Sequence, residues 1–220
     1  MKKTPIILTI ALLAAAVLAP CTAGAWTSVR TGQKNFERAW SAYVFRRPDM
    51  AAKYFARAAD AFGAGLAEDP PSRTTMFPSN LTMAGMSLYY AGRYQEVAAP
   101  MEKVMAKDDR IWEAPLYAAL ASARLGDAAG TIRLFKLYLE SSPTQSILSG
   151  VVKRQLDALE TGSPSLADVV AAVEQAAFDQ FDVNINQSVG RTSNPQDECD
   201  GIYWWRFNRS PCAERFKFAS

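Results

Sequence analysis

Histidine is absent from this chain of 220 residues, and cysteine occurs only three times. Without an imidazole there can be no Ser-His-Asp or Cys-His nucleophile pair, no His-ligated zinc and no haem held through histidine. Glycine and proline, twelve of each, are too few for a collagenous or disordered polymer. Charge of one sign is also lacking, since 24 Lys and Arg face 22 Asp and Glu. A phosphate-binding surface needs a basic excess, so nucleic acid is not expected as a partner. There is no Gly-rich phosphate loop, Cys-rich metal set or nucleophile elbow, and neither a cofactor nor a metal is expected. What is present is an ordinary apolar share of 49%, over a length that allows one large or two small domains with a real core.

The long apolar run lies at the start. Lys2 and Lys3 precede a stretch from Pro5 to Leu18, and Ala23, Gly24 and Ala25 follow with small side chains. This is the pattern of a secretory signal peptide over residues 1–25, cut after Ala25. Its apolar core is about 14 residues, short of the roughly 20 that a permanent bilayer helix requires. Leu18-Ala19-Pro20-Cys21 also resembles a bacterial lipobox, but Pro20 stands where that motif takes Gly, Ala or Ser, and it restricts the backbone there. A membrane partner is therefore expected only if Cys21 carries lipid. The leader looks bacterial, so the Asn-X-Ser/Thr triplets at Asn80, Asn186 and Asn208 are not expected to carry glycans. Loss of the leader leaves 22 basic against 22 acidic side chains. It also leaves Cys199 and Cys212 as the remaining thiols in an exported, periplasmic setting, where a disulfide between them is the economical inference. Closing that loop of about 13 residues stabilises its segment by roughly 3 kcal/mol on the chain-entropy estimate.

The middle of the chain repeats with a period of 34 residues, from Gly92 to Gly126. Leu81, Ala84, Gly85, Leu88 and Tyr89 precede the first glycine; Val97, Ala98, Met101, Val104 and Met105 follow it. Pro115, Ala118, Ala119, Ser122 and Ala123 precede the second; Thr131, Ile132, Phe135, Tyr138 and Leu139 follow, closing at Pro143. Each copy holds two apolar stripes at helical spacing around a glycine, which is a helix hairpin. Small residues such as Gly85 and Ala119 let helices approach, while Leu88, Met101 and Phe135 fill the space between them. Gly92 and Gly126 supply the positive φ that ends each first helix.

Leu125-Gly126-Asp127-Ala128 with Thr131, Phe135, Tyr138 and Pro143, and Tyr90-Ala91-Gly92-Arg93-Tyr94 with Glu96 and Val97, resemble tetratricopeptide repeats. A third copy lies upstream, with Ala39, Ala42 and Tyr43 in its first helix and Ala51, Phe55, Ala58 and Ala59 in its second. Its turn, Arg46-Arg47-Pro48-Asp49, has no glycine, and about 12 extra residues within Phe62–Ser79 separate it from the next copy. The resemblance spans roughly residues 32–145. It implies an all-α fold, a short α-solenoid of helix hairpins over residues 26–182. Two amphipathic helices, one over Thr144–Leu159 and one from Ser165 to about Phe181, would cap it.

Beyond Val183 the pattern fades into Asn, Gln, Ser and Gly, and residues 183–220 are expected to be an irregular tail rich in aromatics: Tyr203, Trp204, Trp205 and Phe207 sit between Cys199 and Cys212. Three readings of the tail stand open: a cap packed on the helices or in the groove, a docking element with a basic face, or a redox-active disulfide. Asp197, Glu198 and Asp200 form an acidic cluster that suits either solvation or a Ca²⁺ or acid-base site.

The resemblance further implies that a partner polypeptide binds in a groove lined by the first helix of each repeat. The positions that map to it are Phe36, Trp40 and Tyr43; Thr82, Met86, Tyr89 and Tyr90; and Glu113, Leu116, Leu120 and Arg124. Such a surface is aromatic and nearly neutral, and it suits an apolar or aromatic peptide anchor. The alternative for several of these rings is inter-repeat core. The expected function is a non-enzymatic, periplasmic interaction module in an envelope complex. A lipid-anchored subunit of an outer-membrane assembly machine, and an envelope hydrolase or metal enzyme using the acids near Cys199, are its rivals.

Overall fold

The computed structural model of the chain describes residues 22–141, 145–162 and 165–186, with side chains from Thr27 onward apart from 182 and 184–186. Every regular element among these residues is an α-helix: α1 (Thr22–Val44), α2 (Pro48–Leu66), α3 (Pro78–Tyr90), α4 (Tyr94–Met105), α5 (Glu113–Arg124), α6 (Ala128–Glu140), α7 (Ser146–Glu160) and α8 (Leu166–Asn186). The all-α expectation holds for them. Cys21, Pro143, the acidic cluster at 197–200, the Cys199–Cys212 pair and the aromatic tail lie outside the described residues.

Short turns join the helices in pairs, and three of these turns share one hydrogen-bond pattern. At the end of α1 the Arg46 amide donates to the Tyr43 carbonyl (3.0 Å) and the Arg47 amide to that of Ala42 (2.9 Å). Gly92 to Tyr89 (3.0 Å) with Arg93 to Leu88 (2.9 Å) repeats this after α3, and Gly126 to Ala123 (3.1 Å) with Asp127 to Ser122 (2.9 Å) repeats it after α5. The residue past each helix end has positive φ: 53° at Arg46, 77° at Gly92 and 83° at Gly126. This Schellman arrangement satisfies carbonyls that the helix leaves open. Glycine adopts the conformation freely, whereas Arg46 does so at a cost on the order of 1–2 kcal/mol. The first hairpin thus keeps the turn geometry of the other two without their glycine.

Helices pack against their neighbours in chain order, and α1, α3 and α5 also touch in sequence, side by side. The small-against-large expectation is met at α3 and α4: a Cβ on Gly85 would stand 2.5 Å from Met101 Cε and 2.9 Å from its Cγ. Thirty-four residues on, Ala119 and Phe135 are both fully buried in α5 and α6. Helices α3 and α5 have neighbours on most sides and are buried over nearly their whole circumference, as central helices should be. Ser87 and Thr82 are buried on α3 by turning their hydroxyls onto the Met83 and Pro78 carbonyls one turn back (2.6 and 2.9 Å).

The extra residues between α2 and α3 form a connection that packs under the first hairpin. Asn80 is buried there, accepting from Gln33 Nε2 (2.9 Å) and donating to the Thr74 carbonyl (2.7 Å). Its side chain is buried, so the triplet at Asn80 is closed to modification in the folded chain. The last two described helices start and stop near the expected positions. Ser165 accepts the Asp168 amide (3.1 Å) and contacts its carboxylate (2.7 Å), capping α8 as the spacing of the pair suggests. Helix α8, however, continues to Asn186, five residues past its expected end near Phe181 and into the segment expected to be irregular.

Candidate functional site

The first helices of the three pairs carry a continuous run of aromatic rings. Phe36 stacks on Trp40 (6.1 Å between centroids) and Trp40 on Tyr43 (5.4 Å) along α1. Tyr43 meets Tyr90 of α3 at 5.0 Å, and Tyr90 lies 5.7 Å from Tyr117 of α5. Tyr89 joins them, 5.5 Å from Tyr117. The helix spacing makes this possible: Phe36, Trp40 and Tyr43 recur at i, i+4 and i+7 on one side of α1. The rings keep polar tips satisfied among themselves, with 3.0 Å between the Tyr90 and Tyr117 hydroxyls.

Helix α8 lies against this aromatic face. Its Phe181 ring meets Trp40 edge-on at 4.8 Å, and its Phe178 ring meets Tyr43 at 5.6 Å. The Arg46 guanidinium, held at the α1 turn, sits 3.8 Å from the centre of Phe178. One turn earlier, Glu174 accepts hydrogen bonds from the Tyr89 hydroxyl and from Arg124 Nη2, the latter 3.1 Å from both carboxylate oxygens. Glu174, Phe178 and Phe181 follow the i, i+4, i+7 rule and so share a side of α8. Phe178 and Phe181 meet α1 and its turn, while Glu174 reaches α3 and α5.

Burial keeps the phenols of the face protonated. Burial, reinforced by the Glu174 charge, pushes the Tyr89 phenol well above its ordinary value, so it remains a donor. Burial does the same for Tyr43, Tyr90 and Tyr117. Partial burial works against the charge on Arg124, but Tyr89 and Glu174 outweigh it and hold the guanidinium protonated above its usual range.

The sequence-derived positions separate into two groups. Trp40, Tyr43, Tyr89, Tyr90 and Arg124 gather on the face and either touch α8 or touch a ring that does. Phe36, Thr82, Met86, Glu113, Leu116 and Leu120 are buried in the packing between helices, where a partner would reach them only after rearrangement of the chain. Tyr117, Arg46, Glu174, Phe178 and Phe181 belong to the same constellation and were not expected there. The spacing of the last three was visible in the sequence; their destination was not.

Surface clefts also lie elsewhere among the described residues. One of about 330 Å³ opens between Met105, Asp109, Arg110, Pro115, Leu137 and Glu140, and one of about 350 Å³ beside Arg38, Phe45, Arg47, Met50 and Tyr54. Among the described residues no set of three or more Cys, Asp or Glu is placed to hold a metal, and no helix is long and apolar enough to cross a membrane. Rings, a paired carboxylate and two guanidinium groups are suited to holding a helix. No protein-family model, curated protein or solved structure matches this chain.

Proposed function

We propose that the chain is a non-enzymatic polypeptide-binding module, a short α-solenoid of tetratricopeptide type whose first helices form the receptor groove. One observation carries this reading: the aromatic face of α1, α3 and α5 already holds a helix, its own α8, through rings and an Arg124–Glu174 pair. A surface that seats one amphipathic helix through aromatic anchors and a positioned guanidinium has the chemistry to seat another. The leader pattern in the sequence supports a periplasmic setting; there the module would serve an envelope complex, and an oxidising compartment would favour a Cys199–Cys212 disulfide.

Crosslinking in the exporting cell tests the reading. Wild type should be recovered bound to a foreign polypeptide. Trp40→Ala combined with Tyr90→Ala, and separately the surface change Arg124→Glu, should each reduce that recovery at least several-fold. Recovery unchanged in both variants overturns the proposal.

A further inference from the structure

The near-neutral total charge conceals a segregation. Residues 27–57, which span most of α1, its turn and the first half of α2, carry seven basic side chains against two acidic ones, whereas residues 58–181 carry ten against 15. Lys34, Arg38, Ser41 and Phe45 recur at i, i+4, i+7 and i+11 and so share one side of α1, opposite the side that bears Phe36, Trp40 and Tyr43. Met50, Tyr54 and Arg57 share a side of α2 by the same spacing. The two sides meet, since the guanidinium groups of Arg38 and Arg57 each lie 5.8 Å from the centre of the Tyr54 ring. A cleft of about 350 Å³ joins Arg38 and Tyr54 to Arg47, Phe45 and Met50 at the turn, with Glu37 also on its wall. Phe45 and Met50 are 51% and 45% exposed. The ion pairs among the described residues all engage acids from Asp60 onward, and none neutralises Lys34, Arg38, Arg47, Lys53 or Arg57.

We infer that this side of the first hairpin docks on an anionic phospholipid surface, with Phe45 and Met50 entering the headgroup boundary and Arg38, Arg47 and Arg57 meeting the phosphates. Charge complementarity and the position of the apolar pair select that occupant. Two guanidinium groups gathered at one ring without an ion-paired carboxylate are held there against their mutual repulsion, which an anionic surface relieves. Arg38 stands seven residues from Phe45, about 10 Å along the helix, so it lies within about one Debye length of the phosphates when the turn touches the boundary. A soluble acidic chain would use the cations and leave Phe45 and Met50 in water; a bilayer takes both. The acids of this chain's own tail, Asp197, Glu198 and Asp200, are followed by Arg206, Arg209, Arg215 and Lys217, and residues 187–220 carry more basic than acidic side chains. That segment as a whole does not complement the patch. Since patch and aromatic face occupy opposite sides of α1, docking leaves the groove turned away from the membrane, and the two surfaces stand or fall separately.

The processed chain from Trp26 to Ser220, which keeps the whole patch and lacks the apolar leader, is sedimented with vesicles of phosphatidylcholine alone or in equal parts with phosphatidylglycerol. Apparent affinity should be at least tenfold higher for the mixed vesicles and should fall as salt is raised. Arg38→Glu/Arg57→Glu should lower it at least tenfold, and Phe45→Ser/Met50→Ser at least threefold while leaving the salt dependence in place. Arg133→Glu/Lys153→Glu makes the same change in net charge at exposed positions of α6 and α7 and should alter affinity less than twofold. If Arg38→Glu/Arg57→Glu loses its helical circular dichroism, Arg47→Glu replaces it, with a loss of at least threefold expected. Equal affinity for the two kinds of vesicle, or equal losses in the patch and control variants, overturns the inference. So does binding to poly-glutamate that matches the vesicles and is untouched by Phe45→Ser/Met50→Ser, which would assign the patch to acidic chains. Vesicle binding that emerges only in Asp197→Asn/Glu198→Gln/Asp200→Asn would make the tail the occupant and overturns it as well.

Discussion

Arg46 occupies a left-handed turn position and at the same time lays its guanidinium 3.8 Å from the ring centre of Phe178. The residue that strains the first hairpin also fastens the final helix to it. Two consequences follow for substitution. Arg46→Ala removes the ring contact and keeps the backbone cost; Arg46→Gly removes both. Arg46→Gly should therefore be more stable than Arg46→Ala by about 1 kcal/mol, a difference measurable by urea unfolding. In a Phe178→Leu background the loss on going from Arg46 to Ala should shrink by about 0.5–1 kcal/mol.

Gly85→Ala isolates the close approach of α3 and α4. An added methyl would stand 2.5–2.9 Å from three atoms of the buried Met101 side chain, and the Cγ among them is not a free end. Overpacking of this kind costs typically 1–3 kcal/mol, against a helix-propensity gain of about 1 kcal/mol. A net loss of about 1 kcal/mol is expected from urea unfolding; in a Met101→Ala background, itself costing about 2–5 kcal/mol, the added loss from Gly85→Ala should disappear.

The two central hairpins were legible because their signals are local: Gly92 and Gly126 at a 34-residue interval, and Gly85 with Met101 answered by Ala119 with Phe135. The first hairpin shows the same helix pattern, but Arg46 hides its turn, since no sequence rule expects arginine at positive φ. The position of α8 was not legible. Its apolar face and its Ser165 start read correctly as a helix. Its pairings with Tyr89 and Arg124, however, span 85 and 50 residues, and periodicity within a helix carries no information about such distant partners. Glu113 shows the converse: the repeat resemblance mapped it to the groove lining, and the structure buries it at the start of α5.

Gln180 should act on α7 although it belongs to α8. Its side-chain oxygen takes the place of an N-cap for α7, accepting the Ile147 amide (2.8 Å) and lying 3.4 Å from that of Leu148. Gln180→Ala leaves these amides without that acceptor and should cost about 1–2 kcal/mol. Amide exchange should speed up first at Ile147 and Leu148, while α3 and α5 keep their protection.

High pH should unfold this protein through its tyrosines. Burial raises the phenols of Tyr43, Tyr89, Tyr90, Tyr117 and Tyr138 above their ordinary value of 10.0. Above that value the unfolded chain releases protons that the folded chain retains. Stability from these groups is therefore complete below about pH 10 and declines as pH rises further. Urea midpoints should be level from pH 8 to 9.5 and then drop steeply. Tyr138→Phe, which removes one such proton along with the 3.0 Å contact to Ser149, should make the drop shallower.

The most direct measurement of the central claim is amide exchange on the full chain with and without its crosslink-identified polypeptide. Slower exchange along α1, α3 and α5 is the result expected if the partner seats on the first helices. Saturating partner with exchange along all three unchanged would put the binding surface elsewhere and contradict the account.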